Sequence, residues 1–525
     1  MSATNEHLLT TFVHLHEALR RVDLALDVPQ VTEAATTRDE VAVQLADYVM
    51  PRILAADAPL LAVVGGSTGA GKSTLVNSIV GAAVTEAGVL RPTTRSPVLV
   101  HNPDDAAWFV EARILPDFRR TDRSSADPGR LQLVASSNVP RGIAVLDAPD
   151  VDSLEERNRV LAAQLLDAAD MWLFVTSAAR YADQVPWSYL RRAAERKAAV
   201  AIILDRTPEA AVAEVSAHLS RMLVARGLKD SPLFTVPEGN LDDEGLLPQA
   251  AIEQIQVWLE QLAANDQAKA AVVRQTLAGT VRSVAERTYS VADACERAEE
   301  VSDGLRTSLV ETYAGAIDEV DRVASSGRLV QGLSASDWRD ALQRSEQALA
   351  TVIADDAERA AASAVLRWNA TDAGRSLLLG RSEMEAASVD IAARSARVVG
   401  RWQQSARQLI AGQQAESDDS SAGVEELGAA LQILTLSGPG EGDRATAAGR
   451  ARAVLAGAFA AEMQERLVSR SRNELLRQTE DVLTDEAQRF EALVGPSGAH
   501  RADAEALREL ARHIDDLRLR NEDWL

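Results

Sequence analysis

The chain is short of aromatic residues, of cysteine and of positive charge, and each shortage excludes something. Phe, Trp and Tyr make up 4% of its 525 residues, while 46% are hydrophobic. Alanine and leucine carry that apolar fraction, and both favour helix. There is one cysteine, Cys295, so no intrachain disulfide can form, which fits a reducing cytoplasm. Cys295 lies in a helical pattern and reads as a packed residue. Lys and Arg number 55 against 78 Asp and Glu, a net charge of −23. A surface of that sign repels a phosphate backbone and argues against nucleic acid as the main partner. No uninterrupted apolar run approaches the ~18 residues of a transmembrane helix. The N-terminus, MSATNEHLLTTF, has no basic-then-apolar signal pattern. A cytoplasmic location is the expectation. The seven histidines are scattered, with no HExxH and no cysteine pairs, so a metal-centre or nucleophilic enzyme has little support. His101 reads as a capped strand end.

What is present in full is a phosphate-binding loop. Residues 60–81 read LLAVVGGSTGAGKSTLVNSIVG. An apolar run ends in a glycine-rich turn, and a helix pattern starts near Lys72. The turn contains Gly66-x-x-x-x-Gly71-Lys72-Ser73, between the strand and the helix that the motif requires. Gly66, Gly69 and Gly71 let the backbone curl so that several N–H groups, across Ser67, Thr68, Ala70 and Thr74 as well, face phosphate oxygens. The helix adds its positive N-terminal end. Lys72 is placed to reach the β- and γ-phosphates, and the Ser73 hydroxyl to ligate Mg²⁺. A nucleoside triphosphate is the ligand this implies.

At this length two or three domains are expected. Residues 1–56 suggest a helical hairpin. Leu8, Phe12, Leu15, Leu19, Val22 and Leu26 form a heptad seam, Pro29 ends the first helix, and Thr37-x-x-Glu40 makes a capping box for a second that starts at Thr37. Residues 57–248 alternate short apolar runs with helical stretches, the pattern of an α/β, mainly parallel sheet. Strands are expected at 61–64, 98–101, 131–135, 143–147, 172–176, 200–205 and 233–236, with helices between, such as 155–169 and 186–196. Ligands of such sheets sit at the carboxyl ends of the strands. Residues 249–525 carry only helical periodicity, at 252–264, 268–302, 304–323, 337–370, 382–412 and 447–493, with a last helix after the turn at 495–498. Long helices of this kind suggest an extended bundle or stalk. The polar, turn-rich stretch 413–446 reads as a flexible loop. Leu507, Leu510, Ile514 and Leu517 form a second heptad seam, so the N-terminal hairpin is expected to pack with the C-terminal bundle.

Two further signals complete a nucleotide site. Thr94, in RPTTRSP, lies 21 residues after Ser73 and precedes a strand. A switch protein needs a hydroxyl there to complete the Mg²⁺ shell when the γ-phosphate is present. The apolar run 143–146 ends in Asp147-Ala148-Pro149-Asp150, and an acid at the tip of a strand beside the loop is the usual second-shell Mg²⁺ group.

At these residues the chain resembles dynamin-like GTPases and their bacterial relatives, in Val64-Gly65-Gly66, in Thr94-Arg95-x-Pro97 and in Asp147-x-Pro149. The loop text STGAGKST also resembles Era- and septin-type GTPases. The resemblance implies a GTP-binding protein and an Mg²⁺-dependent GTPase, with Lys72, Thr94 and Thr68 as the catalytic set. Ser73, Thr94 and Asp147 would hold the metal. It also implies a homodimer, or a heterodimer with a related GTPase, a helical stalk moved by nucleotide state, and peripheral contact with the inner face of the plasma membrane. The motif likeness covers residues 60–240.

Three departures qualify it. The second switch has Asp150 where the family has the glycine of Asp-x-x-Gly, so a carboxylate faces the γ-phosphate and hydrolysis is expected to be slow or partner-dependent. The fourth motif, Asn/Thr-Lys-x-Asp, is replaced by Asp205-Arg206-Thr207-Pro208. Asp205 would read the base from a shifted position with Arg206 stacking on it. The polar pair that positions catalytic water in dynamins is reduced to Thr68. Arg91 and Arg95 are candidates for an arginine finger. A nucleotide-gated scaffold with little turnover and an ATP-specific P-loop protein are the alternatives. An ABC-type ATPase is disfavoured, because no Walker B strand follows Leu436-Ser437-Gly438.

Overall fold

Eight strands form one sheet in the order β3-β4-β2-β5-β1-β6-β7-β8. In chain order they are β1 (Leu60–Gly66), β2 (Val98–His101), β3 (Arg119–Thr121), β4 (Arg130–Ala135), β5 (Ile143–Asp147), β6 (Met171–Ser177), β7 (Ala199–Thr207) and β8 (Leu233–Pro237). The computed structural model describes residues 3–86, 96–125, 127–153, 155–336, 338–414, 421–438 and 445–520. All pairings are parallel except that of β2 with β5. Strand β1 lies between β5 and β6, and every residue of all three is buried. A strand covered on both faces needs a continuous apolar run, which is what residues 60–64 supply. Seven of the strands lie where the apolar runs place them. Strand β3 was not expected; it is three residues at the sheet edge, and its Arg-Arg-Thr sequence carries no apolar signal.

The described chain divides into two compact units. One comprises Met1–Asp23, Glu33–Cys295 and Ala502–Leu525; the other comprises Leu24–Thr32 and Glu296–Arg501. In the first, the N-terminal seam residues Leu8, Phe12, Leu15 and Leu19 are buried, as are Leu507 and Ile514 of the last helix. The two end helices meet at His7 and His513, whose Nε2 atoms are 3.0 Å apart. Arg508 pairs with Asp293 at 2.5 Å and the Tyr289 hydroxyl donates to Asp515 at 3.4 Å, which fixes the last helix to the helix Asp266–Ser325. That helix passes close to the sheet: a side chain at Gly279 would strike the Arg196 carbonyl. Cys295 is a buried free thiol, pushed up to about 12 by burial.

The second unit is helical, through Trp338–Asn369, Ile391–Gln414, Ser421–Thr435, Ala447–Ala456 and Ala461–Val494. Its core gathers Leu349, Ile353, Trp402, Leu431 and Leu475, all fully buried. The Trp402 indole donates to the Ser471 carbonyl at 3.0 Å, which satisfies the one polar group it buries.

Several helix boundaries differ from the sequence expectation. Pro29 does not end a helix; it opens Pro29–Gln44, at the first turn, where its missing N–H costs nothing. Thr37 is therefore not a cap. It sits inside that helix and its hydroxyl donates to the Glu33 carbonyl one turn back. Gly304 does not separate two helices, because Asp266–Ser325 runs through it unbroken. The helix expected from 382 starts at Ile391, after a short 3₁₀ turn, and the run 447–493 is split at Gly457. Inside the expected loop 413–446 lies the helix Ser421–Thr435, with Ala430, Leu431 and Ile433 buried. The acidic and glycine-rich flanks hid its apolar face.

At the amino end of β1, the Arg52 guanidinium pairs with the Asp170 carboxylate, and both are almost wholly buried. Arg52 also donates to the Ala58 and Pro59 carbonyls, and Asp170 accepts from the Leu61 N–H at 2.8 Å and the Tyr48 hydroxyl at 3.1 Å. This cluster joins the N-terminal helices to the strand that precedes the phosphate loop. Arg52→Ala would leave a buried carboxylate without its cation. A loss of about 3 kcal/mol or more is expected, read as a lowered urea midpoint of the full-length chain.

Candidate functional site

Because β1, β5, β6 and β7 are parallel, their carboxyl ends open on one edge of the sheet. The segment after β1 turns there and enters the helix Lys72–Val80. Gly71 makes the turn with φ +98°, a left-handed conformation that other residues rarely adopt. A side chain at Gly71 would also strike the Asp205 carboxyl. Lys72 is 5% exposed. Its ammonium donates to the Ser67 carbonyl at 3.1 Å, folding back over the loop, and it makes an ion pair with Asp150.

Asp147 ends β5, one strand from the loop. The Ser73 hydroxyl donates to its Oδ2 at 2.8 Å. A second hydroxyl, Thr85, donates to the same oxygen at 2.6 Å. Asn77, on the helix after the loop, sets Thr85 in place. Its side chain accepts from the Val84 and Thr85 N–H groups and donates to the Thr85 carbonyl. Asp147 is fully buried, and burial pushes its carboxyl up, against the hydrogen bonds from Thr85 and Ser73 that pull it down. Its Oδ1 has no hydrogen-bond partner among the described residues, nor has the buried Ser67 hydroxyl. A hydroxyl and a carboxylate with one unpartnered buried oxygen are hard oxygen donors of the kind Mg²⁺ takes. The residues present thus fit the ion. Among the described residues no group of three or more His, Cys, Asp or Glu forms a metal cage, and Mg²⁺ at phosphates needs none.

The segment after β5 reaches back onto the loop. Asp152 accepts from the Thr68 N–H at 2.6 Å and from the Thr68 hydroxyl at 2.7 Å. Its other oxygen accepts from Arg180, in the turn after β6, at 2.7 Å. Thr85, Asp152 and Arg180 are residues that sequence reasoning missed. Their partners are 62, 84 and 28 positions away, and no motif spacing marks them.

Strand β7 ends at the same edge. Arg206 has φ +48°, and the β7–β8 register shifts between Leu204 and Thr207. The irregularity turns Asp205 toward the loop and Arg206 over it. Asp205 Oδ1 accepts its neighbour's N–H at 2.7 Å, and the Arg206 guanidinium donates to the Gly69 carbonyl at 3.1 Å. Asp205 is 3% exposed, and burial pushes its carboxyl up to about 6.

The sequence-expected residues are placed as follows. The loop Gly66, Ser67, Thr68, Gly69, Ala70, Gly71, Lys72, Ser73 and Thr74 meets Asp147, Asp150, Asp205 and Arg206 along one edge. Thr94, Arg91 and Arg95 lie outside the described residues. The strand that follows them starts at Val98, paired with Asp147. His101 falls at the other end of that antiparallel strand, away from the loop. Its ring stacks on Phe109, with centroids 5.2 Å apart.

No family model matches the sequence, and no curated protein does. Among solved structures, the chain is similar to a tyrosine-to-alanine variant of Aquifex aeolicus Era bound to GDP·AlF4⁻. The identity is 18%, over 39% of this chain and 56% of that one, with a TM-score of 0.26. The chain thus spans little more than half of the Era structure. It is also similar to two structures of an oligomerised bacterial dynamin pair, described as sensing and tethering membranes. One is 11% identical over 100% of both chains, with a TM-score of 0.33. The other is 10% identical over 98% of this chain and 81% of that one, with a TM-score of 0.31.

Gly71→Ala would force a side chain into the left-handed turn and onto Asp205. Strain of about 1–3 kcal/mol is expected, with a lowered thermal midpoint and loss of triphosphate binding, both measurable on one preparation. Unchanged binding would show that the turn does not form the site.

Proposed function

We propose that the chain is a GTP-binding protein and a slow, Mg²⁺-dependent GTPase. The observation that carries this is the convergence of Lys72, Ser73 and Asp147 at the head of β1, with the Ser73 hydroxyl on the buried Asp147 carboxylate. Backbone N–H groups of 67–74 would cradle the phosphates, helped by the positive end of the helix Lys72–Val80. Lys72 would neutralise the β- and γ-oxygens. Ser73 and Asp147 would hold Mg²⁺, which supplies charge neutralisation at the transferring phosphoryl group. Thr94 is proposed as the switch hydroxyl that completes this shell.

Turnover is expected to be low. Thr68, the loop residue suited to positioning water, has its hydroxyl committed to Asp152. The ion pair of Asp150 with Lys72 also favours the second reading, a nucleotide-gated scaffold. Single-turnover phosphate release separates the two.

The base end supports guanine only in part. Pro208 stands where the usual base-reading acid would be, so Asp205 and Arg206 are proposed to border the base. If the Asp205 carboxylate accepts guanine N–H groups, affinity depends on its charge. Burial pushes that carboxyl up to about 6. It is therefore charged above that pH and neutral below it, so GTP affinity should fall as pH drops from 7 to 5. A flat profile would remove Asp205 from base reading.

Nucleotide binding is proposed to drive pairing with a second copy or a related GTPase, with the helices transmitting the change. No helix among the described residues is long and apolar enough to cross a membrane. Peripheral contact with the inner face of the plasma membrane is part of the proposal, on the resemblance to dynamin-like GTPases. Calorimetry with GTP, GDP and ATP tests the core of this. GTP and GDP are expected to bind, ATP at least about tenfold more weakly (~1.4 kcal/mol), and Lys72→Ala to abolish binding. Tighter ATP than GTP would establish an ATP-specific protein instead.

A further inference from the structure

We propose that Asp150 is an internal competitor for nucleotide phosphate, so that the segment after β5 sets the affinity of the loop it touches. The inference rests on the phosphate-loop reading above. Three contacts support it. The Asp150 carboxylate takes the Lys72 ammonium, in a pair whose side chains are only 4% and 15% exposed. Asp152, two residues on, grips the loop at both the N–H and the hydroxyl of Thr68. Arg180 holds Asp152 from the far side. The segment is thus fastened to the loop at two points, both through carboxylates.

The consequence follows from charge. An ammonium offers three donors and one compact charge. One donor goes to the Ser67 carbonyl and another to Asp150. A β- or γ-phosphate that uses the third donor brings its oxygens against the Asp150 carboxylate on the same ammonium, and the two anions compete for that one charge. Asp150 cannot remain beside the phosphates, because like charges at that range repel strongly where water is scarce. Binding therefore has to swing Asp150 outward, against the hold of Asp152 on Thr68. An anion that mimics phosphate at the lysine lowers affinity for every ligand that uses this lysine, whatever base it carries. The same exchange couples phosphate occupancy to the position of residues 148–153. Asp150 is accordingly an affinity-setting residue, and Asp152 a positioning residue that holds it in place.

The test compares the full-length chain with Asp150→Asn and Asp152→Asn by calorimetry with Mg²⁺, using GTP and inorganic pyrophosphate as probes. Pyrophosphate has no base, so it isolates the phosphate end. Asp150→Asn keeps the shape and removes the charge. It is expected to bind both probes roughly ten- to a hundredfold more tightly (about 1.4–2.8 kcal/mol), measured at a temperature where the variant is folded. Asp152→Asn should shift both affinities in the same direction by less. If Asp150→Asn melts early, Asp150→Ala serves as the second charge-free variant. Equal or weaker binding by the charge-free variants, with binding by the unaltered chain intact, overturns this inference alone, and weaker binding makes Asp150 a ligand-holding residue. Absence of binding by the unaltered chain and by the variants overturns the phosphate-loop reading and this inference with it. Binding only by the charge-free variants supports the inference in its strongest form.

Discussion

The Asp147 carboxylate is fully buried at the end of β5, where burial favours its neutral form. Two hydroxyls, from Ser73 and Thr85, meet one of its oxygens and leave the other unpartnered among the described residues. That one constraint organises the site. It fixes the first turn of the helix Lys72–Val80 against the neighbouring strand. It also ties residues 84–85 back to the site through Asn77, and it sets a hard oxygen donor where a divalent cation beside phosphates would lie. The sheet makes the placement possible. Parallel pairing of β5 with β1 aligns Val64 with Asp147, so the loop and the acid leave the sheet side by side.

A second layer of charge lies over the first. Asp150 and Asp152 bind the cation and the donors of the loop, and Asp205 and Arg206 close on it from β7. Each acid is satisfied by a partner on the loop or beside it. The loop is therefore held from two sides, from the segment after β5 and from the end of β7. Both contacts join elements far apart in the chain.

Much of the first layer was legible in the sequence. The apolar run 60–64, the glycines and Lys72-Ser73 are local signals, and Asp147 ends an apolar run that reads as a buried strand. In the second layer Asp150, Asp205 and Arg206 stand at motif positions and were legible, whereas Asp152 and Arg180, like Thr85 beside Asp147, act through tertiary contacts that no spacing encodes. The same division holds for the fold. Seven strands announce themselves by short, mainly apolar runs. Strand β3 does not, because it is short, polar and at the edge. The long helices were legible, but their ends and some shorter helices were not. Pro29 and Gly304 look like stops, yet a proline in a first turn and a glycine with open space around it are both tolerated. The helix Ser421–Thr435 was masked by acidic and glycine-rich flanks, although it buries Leu431 and Ile433 in the core.

The site has its meaning only if Asp147 and Ser73 hold a magnesium ion on a bound triphosphate. The direct measurement is GTP affinity with and without Mg²⁺ for the unaltered chain and for Asp147→Asn. The unaltered chain should bind GTP at least about tenfold more tightly with Mg²⁺ (~1.4 kcal/mol), and Asp147→Asn should lose that increment while keeping its Mg²⁺-free affinity. An equal Mg²⁺ effect in both proteins would contradict the role given to Asp147, and with it the geometry proposed for the site.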